Sequence, residues 1–223
     1  MLYERSFIQM PRTRQATTEA TRARLAHAAL KLFLRHGFNG VGLRALAKEA
    51  KLSLGAVYTH YESKDALFAA LIESQYASFA AATEPLARFL VTCRLPDDLE
   101  KFGAMMGEMV ARHRAYLTLV YVDIAEFGGK HARPHYQGLA ARFRAAMPSR
   151  RQHALPAWAD PGVVLTILYM QFANHFVVEK LIGAERYLGM PDDDSIKVIA
   201  KLFMLGLAPR ERRRPSTKKP EVS

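Results

Sequence analysis

The sequence has a single cysteine, Cys93, so no disulfide can form within the chain. That composition fits a reducing compartment. There is no CxxC pair, no GxSxG elbow and no phosphate-binding P-loop, so the common signatures of thiol redox, serine hydrolysis and nucleotide hydrolysis are missing. No stretch alternates apolar and polar residues as a half-buried strand would. Residues 1–17 carry Arg5, Arg12 and Arg14 but no apolar run leading to a small-residue cleavage site, so no secretory signal is expected there. One uncharged run, Pro161 to Val178, approaches the length of a membrane span. Gln171, Asn174 and His175 in its second half suit the interior of a helical bundle better than lipid, and no membrane partner is expected.

What is present is an ordinary globular balance, half hydrophobic and 24% charged over 223 residues, enough for one or two domains with a substantial core. The net charge of +11 is unevenly placed. Residues 1–64 contain eleven Lys and Arg against four Asp and Glu, and residues 209–223 contain six against two, which leaves a neutral body between two basic ends. Clustered positive charge suits a polyanion, nucleic acid before anionic membrane.

Apolar residues recur at helical spacing from end to end, so the expected fold class is all-α. Residues 1–17 are expected to be a loose basic arm. Thr17 or Thr18 can cap a first helix, in which Leu25, Ala29, Leu32 and Phe33 share one face and after which Gly37 is the stop. Leu43, Leu46, Ala47 and Ala50 make the apolar face of a second helix, Lys51-Leu52 is a turn, and Ser53 caps a short third helix reaching Tyr58 to His60. Two short helices joined in this way form a helix-turn-helix, whose second helix enters the major groove of DNA. Ser63 caps a long fourth helix, expected over 63–80. Further helical segments are expected near 84–94, 97–113, 115–128, 134–147, 161–184 and 193–207, punctuated by proline and glycine. The expected organisation is an arm at 1–17, a DNA-binding domain at 18–62, a regulatory and dimerisation domain at 63–208, and a disordered basic tail at 209–223.

The residues Gly37-Phe38, Leu46-Ala47, Ser53, Gly55, Tyr58, His60-Tyr61 and Ser63-Lys64-Asp65 with Leu67 form a long ordered pattern. In this pattern the first 80 or so residues resemble the DNA-binding domain of the TetR family of bacterial transcriptional regulators. The resemblance implies a homodimeric repressor that binds double-stranded DNA at a palindromic operator and is released by a small apolar or amphipathic effector. It implies that Tyr58, His60 and Lys64 touch phosphates and that the third helix approaches bases. The expected DNA-binding set is Arg44, Ser53, Leu54, Gly55, Ala56, Tyr58, Thr59, His60 and Lys64, with Arg12 and Arg14 as arm residues able to reach a minor groove. Three positions depart from the family pattern. Lys51 stands where the turn commonly has glycine, Val41-Gly42 where Thr or Ser usually caps the second helix, and Leu54 where a polar residue is frequent. Leucine can offer a base only apolar contact, such as to a thymine methyl. An activator, or a regulator that answers to a protein, would share these features, and a helical enzyme or binding protein with a vestigial motif is a remote alternative.

Other chemistry is poorly supported. Gly40-Val41-Gly42-Leu43-Arg44-Ala45 matches the GxGxxA of dinucleotide sites but follows a helix and lacks the βαβ context the motif needs. His131 and His135 have metal-ligand spacing, yet no third ligand completes a set in sequence. No cofactor, metal or catalytic site is therefore expected. The C-terminal half concentrates Met105, Met109, His113, Tyr116, Phe127, Phe143, Trp158, Tyr169, Phe172, Asn174 and His175. Such a set could line an apolar effector pocket, or it could form core and dimer interface.

Overall fold

The computed structural model describes residues 11–82, 84–94, 97–146 and 158–207, and among these every regular element is helical. The helices are α1 (Pro11–His36), α2 (Leu43–Ala50), α3 (Leu54–His60), α4 (Lys64–Ala82), α5 (Glu84–Thr92), α6 (Leu99–Arg112), α7 (Arg114–Phe127), α8 (Arg133–Tyr136), α9 (Leu139–Ala146), α10 (Pro161–Phe176) and α11 (Asp192–Leu207). A π-helical turn, Val177–Leu181, extends α10.

Three expected boundaries move. The first helix begins at Pro11, so residues 11–17 of the expected arm are helical. Proline has the fixed φ and missing N–H that suit a first helical turn, and the Arg, Gln and Ala residues after it favour a helix. The expected helix over 134–147 is two pieces, α8 and α9, because Gln137 is extended and Gly138 takes φ +72°. The long apolar helix changes to π-helical turns at Val177 and ends at Leu181 rather than 184. The tail at 209–223 and the arm residues before Pro11 lie outside the described residues.

The chain forms two compact units, each made of separate stretches: Met1–Pro85 with Met109–Leu139, and Leu86–Glu108 with Ala140–Ser223. The first holds α1 to α4, α7 and α8. Its core is built from Leu25, Ala29 and Phe33 of α1, Leu46, Ala47 and Ala50 of α2, Val57 of α3, Leu67, Phe68 and Ile72 of α4, and Leu119 and Val120 of α7, all buried. Phe68 is its centre, with ring centroids 5.6 Å from Phe33, 5.5 Å from Phe38 and 5.0 Å from Phe127. The buried carboxylate of Asp123 accepts the backbone N–H groups of His131 and Ala132, which fixes the turn after α7 and gives a buried polar group its partners.

In the second unit Phe102, Met106, Leu165, Phe172 and Phe176 are fully or nearly fully buried. Glycine lets α6 and α10 approach: a Cβ at Gly103 would stand 2.7 Å from the Phe172 ring, and one at Gly107 would stand 2.9 Å from the Phe176 ring. Pro161–Leu181 is long and apolar enough to cross a bilayer by composition. Its inner face packs against these aromatics and carries the buried polar groups His175 and Glu179.

Candidate nucleic-acid interface

The helix-turn-helix follows from local chemistry. Ala47 and Ala50 are small and buried, so α2 packs closely on its neighbours. The chain leaves α2 through Lys51, which adopts the left-handed conformation (φ 55°, ψ 46°). The N–H of Leu52 donates to the Ala47 carbonyl and that of Lys51 to Lys48, the pattern of a Schellman stop. Arg24 of α1 supports the turn by donating from one guanidinium nitrogen to the carbonyls of Ala50 (2.6 Å) and Lys51 (2.8 Å). A side chain at this φ costs roughly 1–2 kcal/mol, partly offset by glycine's greater freedom in the unfolded chain. Lys51→Gly is therefore expected to stabilise the chain by about 1 kcal/mol, raising its melting temperature by about 2–4 °C. Thermal denaturation followed by circular dichroism checks this, and a lowered midpoint would contradict it.

Ser53 caps α3 as its sequence suggests, its Oγ accepting the Ala56 N–H at 3.1 Å, and Ser63 caps α4 in the same way through Ala66 at 3.0 Å. Gly42 opens α2 with no side-chain cap. Val57 buries the inner face of α3. The outer face presents Ser53, Gly55, Tyr58 and Thr59, all exposed, with Leu54, Ala56 and His60 half-buried. Tyr58 is 53% exposed, far more than a tyrosine held by packing alone would be. The Thr59 hydroxyl donates to the Gly55 carbonyl at 3.0 Å, which leaves its methyl group and lone pairs to face a base. Arg44 is exposed on α2. Arg12 and Arg14 lie in the first turn of α1, and their side chains are outside the described residues.

Lys64, expected to meet a phosphate, makes contacts within the chain that the sequence did not signal. Its ammonium donates to the carbonyls of Phe38 and Val41, both at 2.9 Å, and sits 4.0 Å from the centroid of the Phe38 ring. One donor of three remains for a phosphate. The Gly40-to-Ala45 nucleotide look-alike is part of the same turn: a Cβ at Gly40 would stand 2.2 Å from the His36 carbonyl oxygen, a packing reason for that glycine.

Other side chains matter here without a local signal in the sequence. Asp65, in the first turn of α4, receives Lys130 at 3.0 Å and His131 Nε2 at 3.1 Å, and the lysine bond foremost holds its carboxyl below the usual aspartate range. His135 Nε2 lies 3.1 Å from a Glu73 oxygen and its Nδ1 3.0 Å from the Tyr116 hydroxyl. A carboxylate only accepts, so Nε2 carries the proton and Nδ1 accepts from the tyrosine. The His131/His135 pair thus joins the turn after α7 and helix α8 to two different acids of α4.

The expected effector residues separate. Met109, His113, Tyr116 and Phe127 fall in the first unit, where Tyr116 stacks on Phe79 (4.9 Å) and Phe127 joins the Phe38–Phe68 cluster (4.5 and 5.0 Å). His113 is half-buried with Nε2 unpartnered, and burial followed by the Arg112 charge lowers its pKa. Met105, Phe143, Trp158, Tyr169, Phe172, Asn174 and His175 fall in the second. Phe143 and Phe172 are buried there, Trp158 is 73% exposed, and Asn174 is exposed while His175 is wholly buried. His175 Nδ1 lies 3.0 Å from the Tyr187 hydroxyl and Nε2 2.9 Å from Ser195 Oγ.

A basic, all-helical chain whose short third helix projects exposed polar groups from a capped two-helix turn defines a helix-turn-helix DNA-binding protein. Residues 25–71 match the family model described as bacterial regulatory proteins, tetR family. Over 163 residues the chain is 30% identical to the HTH-type transcriptional repressor SCO4008 of Streptomyces coelicolor, covering 72% of this chain and 80% of that one. Over 164 residues it is 36% identical to the HTH-type transcriptional repressor NemR of Escherichia coli, covering 69% and 80%. The crystal structure of NalD, the secondary repressor of the MexAB-OprM multidrug efflux pump in Pseudomonas aeruginosa, shares the fold with a TM-score of 0.62 at 16% identity, over 88% of this chain and all of that one. The chain belongs to the TetR family and is a DNA-binding transcriptional regulator.

Proposed function

We propose that the chain acts in the cytoplasm, without catalysing a reaction, as a homodimeric repressor that a small apolar or amphipathic molecule releases from a palindromic operator. The observation that carries the DNA half is the outer face of α3, where Tyr58 and its exposed neighbours stand clear of the packing that anchors Val57. On this reading Ser53, Leu54, Gly55, Ala56 and Thr59 approach bases, while Arg44, Tyr58, His60 and the remaining donor of Lys64 meet phosphates. Arg12 and Arg14 at the start of α1 add positive charge to the same module.

Dimerisation is supported by two apolar stripes that stand exposed among the described residues. Val163, Ile167 and Met170 stand exposed at i, i+4 and i+7 on α10, and Val198, Leu202 and Leu205 do so on α11. A twofold pairing of these helices would bury both stripes, and a dimer on a palindromic operator has its two reading helices in successive major grooves, about 34–36 Å or more apart. An effector would enter the apolar interior of the helical body, with Met105, Phe143, Tyr169, Phe172 and His175 as its candidate contacts. It can act only through a difference in affinity for the DNA-bound and released conformations.

Anisotropy titrations on the DNA flanking the gene, against a random duplex of equal length, test the reading. Preference for the flanking DNA is expected, and equal affinity would contradict it. Tyr58→Phe is expected to weaken binding to all sequences by about 3–10-fold, as loss of one phosphate hydrogen bond would, whereas Thr59→Ala should change the order of preferred sequences. Thermal shifts against a panel of lipophilic compounds then identify the effector class, and a compound that raises the melting temperature while lowering operator affinity is the expected result.

A further inference from the structure

The turn between α1 and α2 carries the DNA-reading helices yet makes little provision for itself. Gly42 supplies no cap, and the first turn of α2 contains no acidic residue. The turn is gripped instead by two opposite charges from elsewhere in the chain. Lys64 takes its carbonyls, those of Phe38 and Val41. Glu126, in the last turn of α7, takes its amides: Oε1 accepts the Phe38 N–H at 2.8 Å and Oε2 the Asn39 N–H at 2.6 Å. The two charges thus hold the Phe38 residue by its N–H and its C=O at once.

Gly37 shows that this contact is built into the fold. It lies at φ +68°, and a Cβ there would come within 2.5 Å of Glu126 Oε1. Only a residue without a side chain leaves the carboxylate room to reach the next two amides. The Phe127 ring, adjacent in sequence, closes on Phe38 at 4.5 Å and seals the same joint. Charge-assisted bonds to backbone amides are among the stronger hydrogen bonds, and here they act on a turn with no cap of its own.

We propose that Glu126 is a positioning residue for DNA binding: by holding the Phe38 and Asn39 amides it sets where α2, and through it α3, stands on the rest of the unit. The inference rests on DNA binding by the family and needs neither an effector nor the dimer. It also places a requirement for operator binding on α7, 88 residues along the chain from Phe38, so a rearrangement at the end of α7 reaches the reading helices through two backbone bonds.

The sign of the effect separates this role from simple electrostatics. Removing a negative charge from a DNA-binding protein favours a polyanion, so charge alone makes Glu126→Gln and Glu126→Ala bind all DNA slightly more tightly. Positioning requires the opposite for specific DNA. The experiment measures dissociation constants of wild type, E126Q and E126A for a duplex selected by the wild-type protein from a random pool, and for a random duplex, over a range of salt. The selected duplex is expected to bind E126Q about 3–10-fold and E126A about 10–30-fold more weakly, on the scale of one and two lost hydrogen bonds. The salt slope and the affinity for random duplex are expected to stay at or slightly above wild type, with Gln partly rescuing because one acceptor oxygen survives. Selected-duplex affinity equal to or tighter than wild type overturns the proposal. Hydrogen exchange in the wild-type protein gives a test independent of any variant's folding: the Phe38 and Asn39 amides are expected to exchange as slowly as those of α7, and exchange at the rate of an open turn overturns it.

Discussion

Phe68→Ala is expected to lower the melting temperature by about 10 °C, corresponding to roughly 3–5 kcal/mol for a fully buried phenylalanine removed from a packed core. Phe68 has no exposed surface and lies against Phe33 of α1, Phe38 of the α1–α2 turn, and Phe127 and His131 at the end of α7. Its removal leaves a cavity that Phe38 and His131 are not free to fill: Phe38 is held by its backbone through Lys64 and Glu126, and His131 by its backbone N–H to Asp123 and its Nε2 to Asp65. The loss therefore adds a cavity cost to the lost transfer free energy. DNA affinity is expected to fall with stability, because the same ring supports the turn that carries α2. Calorimetry on the variant reads the first effect and anisotropy the second. A shift of 2 °C or less would mean that the cluster repacks, against the account given of it.

Glu179→Gln is expected to act in the other direction. Glu179 is 2% exposed; the Asp192 carboxylate and the Arg186 backbone are its polar neighbours, and neither meets its carboxylate oxygens in good hydrogen-bond geometry. His175 Nε2, the nearest cation-forming group, is 3.8 Å away and hydrogen-bonded to Ser195. Burial first, and the Asp192 carboxylate second, raise the Glu179 pKa above its ordinary value. Burial likewise lowers the pKa of the neighbouring His175 imidazole. The Ser195 hydroxyl gives its proton to the Asp192 carbonyl, so His175 Nε2–H donates to Ser195 and Nδ1 accepts from Tyr187. Lys180 is already paired with Asp192.

A raised folded-state pKa contributes stability that is fully present below the ordinary glutamate value and is lost as pH rises through the folded value. Glutamine has no proton to lose. The variant should therefore match wild type near pH 4–5 and become more stable than it toward pH 8, by roughly 1–3 kcal/mol, the cost of an unsatisfied buried polar group. Chemical denaturation at several pH values reads this. A variant destabilised equally at all pH values would show that the carboxylate has a working partner.

Much of the DNA-binding module could be read in advance because its determinants are local. The caps at Ser53 and Ser63 each bond a backbone N–H three residues on, and the left-handed Lys51 occupies a turn flanked by two periodic apolar faces. Family resemblance then added roles that spacing alone could not assign. What stayed hidden depends on distant partners. The role of Lys64 as a brace needs Phe38 and Val41, 26 and 23 residues away, and Glu126 reaches Phe38 across 88. Arg24 is one of several basic residues on α1, and only the folded chain places it on the carbonyls that end α2. The break at Gln137-Gly138 was obscured because the apolar spacing continues across it. The effector set was hardest to read: aromatic and methionine residues at helical spacing serve core, interface and pocket alike, and Phe127 and Tyr116 lie in aromatic clusters with α4.

The claim that α3 reads an operator as one half of a twofold pair is met most directly by selecting duplexes from a random pool with the purified protein and sequencing those retained. The account predicts enrichment of an inverted repeat whose half-sites are centred about one helical turn apart, or a whole multiple of it. A pool that stays random, or one enriched in a single asymmetric half-site, would contradict it.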